Sequence, residues 1–312
     1  MSDATPKTYQ LTGFIFAIGG AILFSTKAIL VKLAYMHTSI DAISLLALRM
    51  VFSLPFYLVA AWLGSKKENK IHLSYKQIGW IIILGIFGYY LSSLFDFIGL
   101  QYVSAGLERL ILFLYPTFAV LLNTFLFKVA LKRIQVIALA LCYAGIGIAY
   151  FAEIQTDLSI PGFYYGSFMI FLCAITYSFY LVGTGKLVQA AGTTRYTAYA
   201  MLAASAGVFI HFICTRSIAT IHFSPMLIYY AIALALIATV IPSFLMSAGM
   251  KRIGSNNVSI ITSVGPVSTI IQAYFILGEK VLFLQIAGTI LVIAGVVLIG
   301  WQTQKNQEDT GF

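Results

Sequence analysis

Charge is scarce in this chain, and acidic charge scarcest: only 9% of the 312 residues are charged, with ten acidic residues against nineteen basic ones. With 60% hydrophobic residues, no water-soluble domain could hide this much apolar surface. The composition is that of a membrane protein. The three cysteines, Cys142, Cys173 and Cys214, lie in apolar stretches without metal-ligand spacing, which argues against a disulfide framework or a zinc site. The four histidines, His37, His72, His211 and His222, are scattered. No glycine loop ending in Lys-Ser/Thr is present, so ATP is not expected as an energy source within this chain. Neither a Gly-x-Ser-x-Gly elbow nor a His-Glu-x-x-His pair occurs, which argues against an intramembrane hydrolase. No cofactor is expected.

What the chain does have is long apolar runs. A helix crossing ~30 Å of hydrocarbon needs about 20 mostly apolar residues. Ten stretches reach that length, at 9–35, 41–64, 77–100, 103–127, 131–152, 162–188, 195–214, 225–249, 255–277 and 282–301. Most are rich in Gly and Ala and apolar on every face, which suits helices packed in lipid better than strands. The separators are short and carry charge and turn formers, as from Gly64 to Lys76 and from Gln155 to Gly162. The first run is too long for a signal-peptide core and no small-residue cleavage site follows, so it is expected to remain as a span. Gly13, Ala17 and Ala21, four residues apart, mark a close packing face on it.

Basic residues gather on the cytoplasmic side of a membrane protein. With the N-terminus inside, Lys7, Lys66, Lys67, Lys70, Lys76, Lys128, Lys132, Arg133, Lys186, Arg195, Lys251, Arg252 and Lys305 all fall in the cytoplasm. Only Arg216 and Lys280 fall outside. Both termini are therefore expected in the cytoplasm, and the net charge of +9 needs no nucleic-acid partner.

The chain is also built twice. A shift of 150 positions lays Gly99, Pro116, Phe125, Gln135, Ala144 and Gly145 on Gly249, Pro266, Phe275, Gln285, Ala294 and Gly295, and carries back to Leu84 over Leu234 and Ser93 over Ser243. Five spans per half is an odd number, so the second half must enter the membrane from the opposite face. Two antiparallel copies of one fold can close one end of a central cavity as the other opens. The expected fold is all-α: ten transmembrane helices in two inverted repeats, residues 1–152 and 153–312, the second ending in a short cytoplasmic tail.

The run from Gly99 to Arg109 (GLQYVSAGLER), followed by Leu114 to Phe118 (LYPTF), resembles the fourth-helix signature of the EamA group in the drug/metabolite transporter superfamily. Val264 to Val267 (VGPV), Leu277 to Lys280 (LGEK) and Ala294 to Val297 (AGVV) are similar to the matching signature late in that family. The resemblance covers nearly the whole chain. It implies a bacterial inner-membrane protein with a central cavity that exports a metabolite, an amino acid or a toxic compound. One departure is visible: Gly278 and Glu279 stand opposite Lys128 and Val129 of the first half.

An ionisable group at mid-bilayer costs about 2.5 to 3.5 kcal/mol on insertion scales, so it needs a partner or a wet cavity. Lys27, Arg49, Asp96, Glu108 and Arg109 are such groups, and the topology above puts all five toward the extracellular half. At 1.5 Å per residue, Glu108 lies roughly 8 Å below the outer end of its span and Lys27 at a comparable depth. Their sum of +1 allows two ion pairs and one cation left for a substrate carboxylate. Arg49 resembles an arginine common in the second span of the family and is expected to be structural or headgroup-facing. Glu108 and Arg109 project about 100° apart on a helix, so one of them should pack. Their counterparts, with that of Asp96, are Met246, Val258 and Ser259, so an ionic outer gate and an inner gate of small and apolar groups are expected.

Pro116 and Pro266 sit at matched positions and should kink their helices, as hinges or as static bends. Tyr89, Ser93, Tyr177, Tyr180, Asn257 and Thr262 are candidates for the polar contacts of a largely apolar pocket. Two functions remain open on sequence alone. One is a secondary transporter of a small organic solute such as an amino acid, with Asp96 or Glu108 coupling to protons. The other is a polytopic enzyme acting on lipid-linked substrates, with Lys27, Asp96 and Glu108 as an acid-base cluster. The duplication favours transport, and both a monomer and a homodimer are compatible with it.

Overall fold

The computed structural model describes residues 6–67, 73–128, 133–157 and 161–310. Every regular element among them is helical: α1 (Pro6–His37), α2 (Ala42–Lys67), α3 (Tyr75–Gly85), α4 (Ser92–Gly99), α5 (Ala105–Leu112), α6 (Tyr115–Phe127), α7 (Arg133–Asp157), α8 (Phe163–Ala191), α9 (Thr193–Thr215), α10 (Pro225–Ala235), α11 (Ile241–Ile261), α12 (Val264–Gln272) and α13 (Phe283–Thr310). Among these residues, eight helical segments are long and apolar enough to cross a membrane. Two shorter apolar segments, Val264–Leu277 and Phe283–Leu298, follow them.

Burial is inverted relative to a protein in water. Asp96 and Glu108 are 0% exposed and Arg49 is 3%, whereas Phe125 is 80% exposed and Phe275 is 78%. An apolar exterior on this scale needs lipid to cover it. Several hydroxyls inside bond within their own helices, as when Ser205 donates to the Met201 carbonyl at 2.8 Å and Ser167 to that of Phe163 at 2.9 Å.

The 150-residue repeat is visible in the backbone at a level the sequence does not signal. A wide π turn joins α3 to α4 at Ile86–Leu91, and another joins α10 to α11 at Leu236–Val240. Each admits one extra residue per turn and so rotates the face that the following helix presents. Thr239 marks the second, its hydroxyl reaching back five residues to the Leu234 carbonyl at 2.8 Å.

Two helix ends fall elsewhere than the sequence suggests. The separator expected at 250–254 is helical within α11, and the break comes at Thr262 and Ser263 instead. The stretch nevertheless turns back along α1. Gly13 faces Arg252 and Ile253, while Ser25, twelve residues farther along α1, accepts Gly265 as its neighbour, donating to its carbonyl at 3.1 Å. The face of Gly13, Ala17 and Ala21 is the one that packs, since Gly249 lies against Ala17. Small residues let the two backbones approach closely.

α7 and α13 make the tightest pairing. A methyl on Gly145 would strike the Gly288 carbonyl, and one on Gly295 would strike the Ala138 carbonyl. These two contacts exchange under the 150-residue shift, and Cys142 faces the carbonyl of its own counterpart, Val292. The two helices therefore run antiparallel about a local twofold.

Candidate functional site

A cavity of about 180 Å³ lies where the two halves meet. Its wall contains pairs of residues 150 apart: Lys27 and Tyr177, Gly88 and Ala238, Tyr89 and Thr239, Ser93 and Ser243, Leu112 and Thr262. The π turns bring several of these there, because Gly88, Tyr89, Ala238 and Thr239 belong to the turns themselves and Ser93 and Ser243 to the helices they re-aim.

The charged residues of the first half converge here. Lys27 Nζ lies 2.7 Å from Asp96 Oδ2, pairing α1 with α4 across the membrane interior. Glu108 is wholly buried, and neither of its oxygens meets a protein donor. Its carboxyl lies against that of Asp96. Arg49 sits inside, on the cavity wall. Its Nη2 donates to Ser93 Oγ at 3.0 Å and its guanidinium lies 5.0 Å from the Phe97 ring centre. Of the adjacent pair, Arg109 faces the cavity and Glu108 packs behind it.

Arg109 is seated by the break between α11 and α12. A methyl on Gly265 would lie 2.8 Å from Arg109 Nη2 and 3.3 Å from its Nε, so the missing side chain is the room the guanidinium occupies. Ser25 completes the seat, accepting from Arg109 Nη2 at 3.5 Å. The two prolines stand just after helix breaks. Pro116 is in the first turn of α6, after Phe113 and Leu114, and Pro266 is in the first turn of α12, after Thr262 and Ser263. Lacking an N–H, neither can return a hydrogen bond to the preceding turn. Thr262 O is taken by the Gly265 N–H at 2.9 Å. Thr262 lines the cavity; the prolines do not.

Aromatic side chains fill one side. Tyr177 lies edge-on to Tyr115, ring centres 5.1 Å apart, and stacks on Tyr180 at 5.8 Å. Tyr180 stands behind the wall and shares a 3.0 Å hydrogen bond with the Tyr89 hydroxyl. The side chain of Asn257 lies outside the described residues.

Sequence reasoning missed a second polar cluster at the N-terminus of α5. Glu279 accepts from the N–H groups of Ala105 at 2.9 Å and Gly106 at 3.4 Å, and Ser104 donates to Glu153 at 2.7 Å. Gln285 on α13 donates to the same Glu153 oxygen at 3.2 Å. The oddity of Glu279 at a position where the first half has Val129 was the available signal. Here it is a carboxylate from the second half capping the helix that carries Glu108 and Arg109, where the helix dipole favours negative charge. Gly278, at φ +68°, lets the chain turn sharply enough to aim it.

The sequence profile of the EamA-like transporter family matches residues 11–151 and matches again at 164–301. The chain belongs to the EamA-like transporter family. A relative described as "Uncharacterized transporter YcbK" from Bacillus subtilis (strain 168) is 31% identical over 318 residues, spanning 95% of this chain and 96% of that one. A protein of known crystal structure shares the fold at a TM-score of 0.65 and 18% identity, over 93% of this chain and 95% of its own. As an EamA-like protein of the drug/metabolite transporter superfamily, the chain is a membrane transporter and not an enzyme.

Proposed function

We propose that this EamA-like chain is a secondary transporter that moves a small organic metabolite, outward, across the bacterial inner membrane by alternating access between two inverted five-helix halves. The observation that carries this is the cavity wall, ten of whose twenty lining residues form pairs 150 apart in sequence and so come from the same places in both copies. A site on the boundary between two copies is reached from either face when the copies exchange conformations. The antiparallel pairing of α7 with α13, themselves counterparts, supports inversion, because a twofold relating antiparallel spans lies in the membrane plane.

In this account both termini are cytoplasmic, ten spans cross the bilayer, and the first five form one repeat. The Lys27–Asp96 pair and the Glu279 cap on α5 close the outer end, and the breaks before Pro116 and Pro266 act as hinges. A proton exchanged at the contact between Asp96 and Glu108 couples transport to the gradient: a neighbouring cation favours the ionised carboxylate and burial the neutral one, so gate movement changes proton affinity.

The test is reconstitution. Proteoliposomes containing the protein should take up at least one solute from a labelled panel of organic acids, amino acids and amines. Uptake should saturate, and the solute should be recovered unchanged. Uptake no greater than in protein-free liposomes across the panel would overturn the proposal.

A further inference from the structure

The cavity is electrically one-sided. Three basic side chains, Lys27, Arg49 and Arg109, line it, and no carboxylate does among the described residues. Lys27 is already paired with Asp96, which lies behind the wall. Neither guanidinium is held in such an ion pair with a described carboxylate. Arg49 spends one nitrogen on a neutral serine, Arg109 meets a serine only at 3.5 Å, and the Nε of each is buried without a partner. A buried guanidinium with unspent donors is costly unless something supplies acceptors. The planar fork of arginine fits a carboxylate or a phosphate with two parallel bonds.

We propose that the substrate is a small organic anion, a carboxylate on an apolar or aromatic body, whose charged end is received by Arg49 and Arg109 and whose body lies among Tyr89, Tyr115 and Tyr177. A zwitterionic amino acid fits less well, because its ammonium would enter a wall of cations with no carboxylate to meet it. An organic cation fits worst. This narrows the small organic metabolite of the proposed function to an anion, in place of the amino acid expected from family resemblance, and it rests on the cavity being the transport site.

Two matched sets of probes test it on the purified protein in detergent: 3-phenylpropanoate, phenylalanine and phenethylamine, and pentanoate, norvaline and butylamine. Binding is read as a rise in unfolding temperature with ligand concentration, which requires no transport and, for the unmodified chain, no variant. The acid of at least one set should bind at least about tenfold more tightly than its zwitterion, a tenfold ratio corresponding to about 1.4 kcal/mol, with the amine weakest. Arg49→Gln and Arg109→Gln should each abolish that preference, and Arg→Lys at either place should restore part of it. Neither acid binding, or a zwitterion or amine binding as tightly as its acid, would overturn the proposal. The transport reading fails separately. An acid that binds but is not carried into proteoliposomes leaves the anion site standing and removes transport, whereas saturable uptake of an amine or an amino acid alone does the reverse.

Discussion

The two halves of the cavity wall share positions and differ in chemistry. The first half contributes Lys27, Arg49 and Arg109. The second places Tyr177 at the counterpart of Lys27 and adds Thr239, Ser243, Met246 and Thr262, with no charged side chain among the described residues. Met246 stands where the first half has Asp96. The two π turns fall at equivalent places in the two halves, whereas the charged lining residues stand in the first half alone among the described residues. Shape and specificity can therefore be perturbed separately.

The largest effect should follow from breaking the ion pair. Asp96→Asn takes from the Lys27 ammonium its ion-pair partner, and removing one partner of a buried pair costs about 3–5 kcal/mol. The double variant Lys27→Met with Asp96→Leu should recover most of that loss. Met246→Leu, at the counterpart position, should cost less than about 1.5 kcal/mol because it conserves volume and apolarity. Detergent unfolding of the three variants measures the contrast, and a double variant no more stable than Asp96→Asn would show that the pair is not what holds α1 to α4.

Glu108→Gln should abolish accumulation driven by a pH gradient while leaving solute exchange intact, measured in the same proteoliposomes. Val258, its counterpart, carries no proton, and Val258→Ala should leave the gradient response unchanged. Full accumulation in both Glu108→Gln and Asp96→Asn would remove protons from the mechanism.

Gly265→Ala should push Arg109 from its seat. Its methyl would lie 2.8 Å from Nη2, and we expect about a tenfold loss of affinity for the bound acid, equivalent to about 1.4 kcal/mol. Gly147, whose added methyl meets nothing, serves as the control. The smallest effect is expected from Glu279→Gln, which keeps the acceptor oxygen at α5 but removes its charge. A dipole interaction of this kind is worth about 0.3–1 kcal/mol, to be seen as a slight fall in unfolding temperature.

Sequence made the membrane setting, the repeat and the cluster of charges legible, because composition, span length and the cost of charge in hydrocarbon act on residues one at a time. The packing face of Gly13, Ala17 and Ala21 was legible for the same reason. What it left hidden depends on tertiary geometry. The π turns at Ile86–Leu91 and Leu236–Val240 contain neither proline nor a distinctive pattern, yet they decide which side chains face the cavity. Adjacency on a helix showed that Glu108 and Arg109 must diverge, but only the space left by Gly265 decides which faces inward. Glu153 and Glu279 lie near helix ends, where a carboxylate reads as solvated until its cross-half partners are seen. The separator expected at 250–254 failed because Lys251 and Arg252 suggested a loop, whereas Arg252 donates to the Ala248 carbonyl at 2.9 Å and its guanidinium lies 4.8 Å from the Phe16 ring centre, keeping the stretch helical against α1.

The central claim is that one cavity between the halves opens to both faces of the membrane in turn. It is tested most directly by placing a single cysteine at Met246, on the uncharged wall, in a chain whose Cys142, Cys173 and Cys214 are replaced by alanine. The variant is labelled with a membrane-impermeant thiol reagent in sealed right-side-out and inside-out vesicles. The account predicts labelling from either face, with a bound acid shifting the balance between them. Labelling from one face only, with or without that acid, would contradict it.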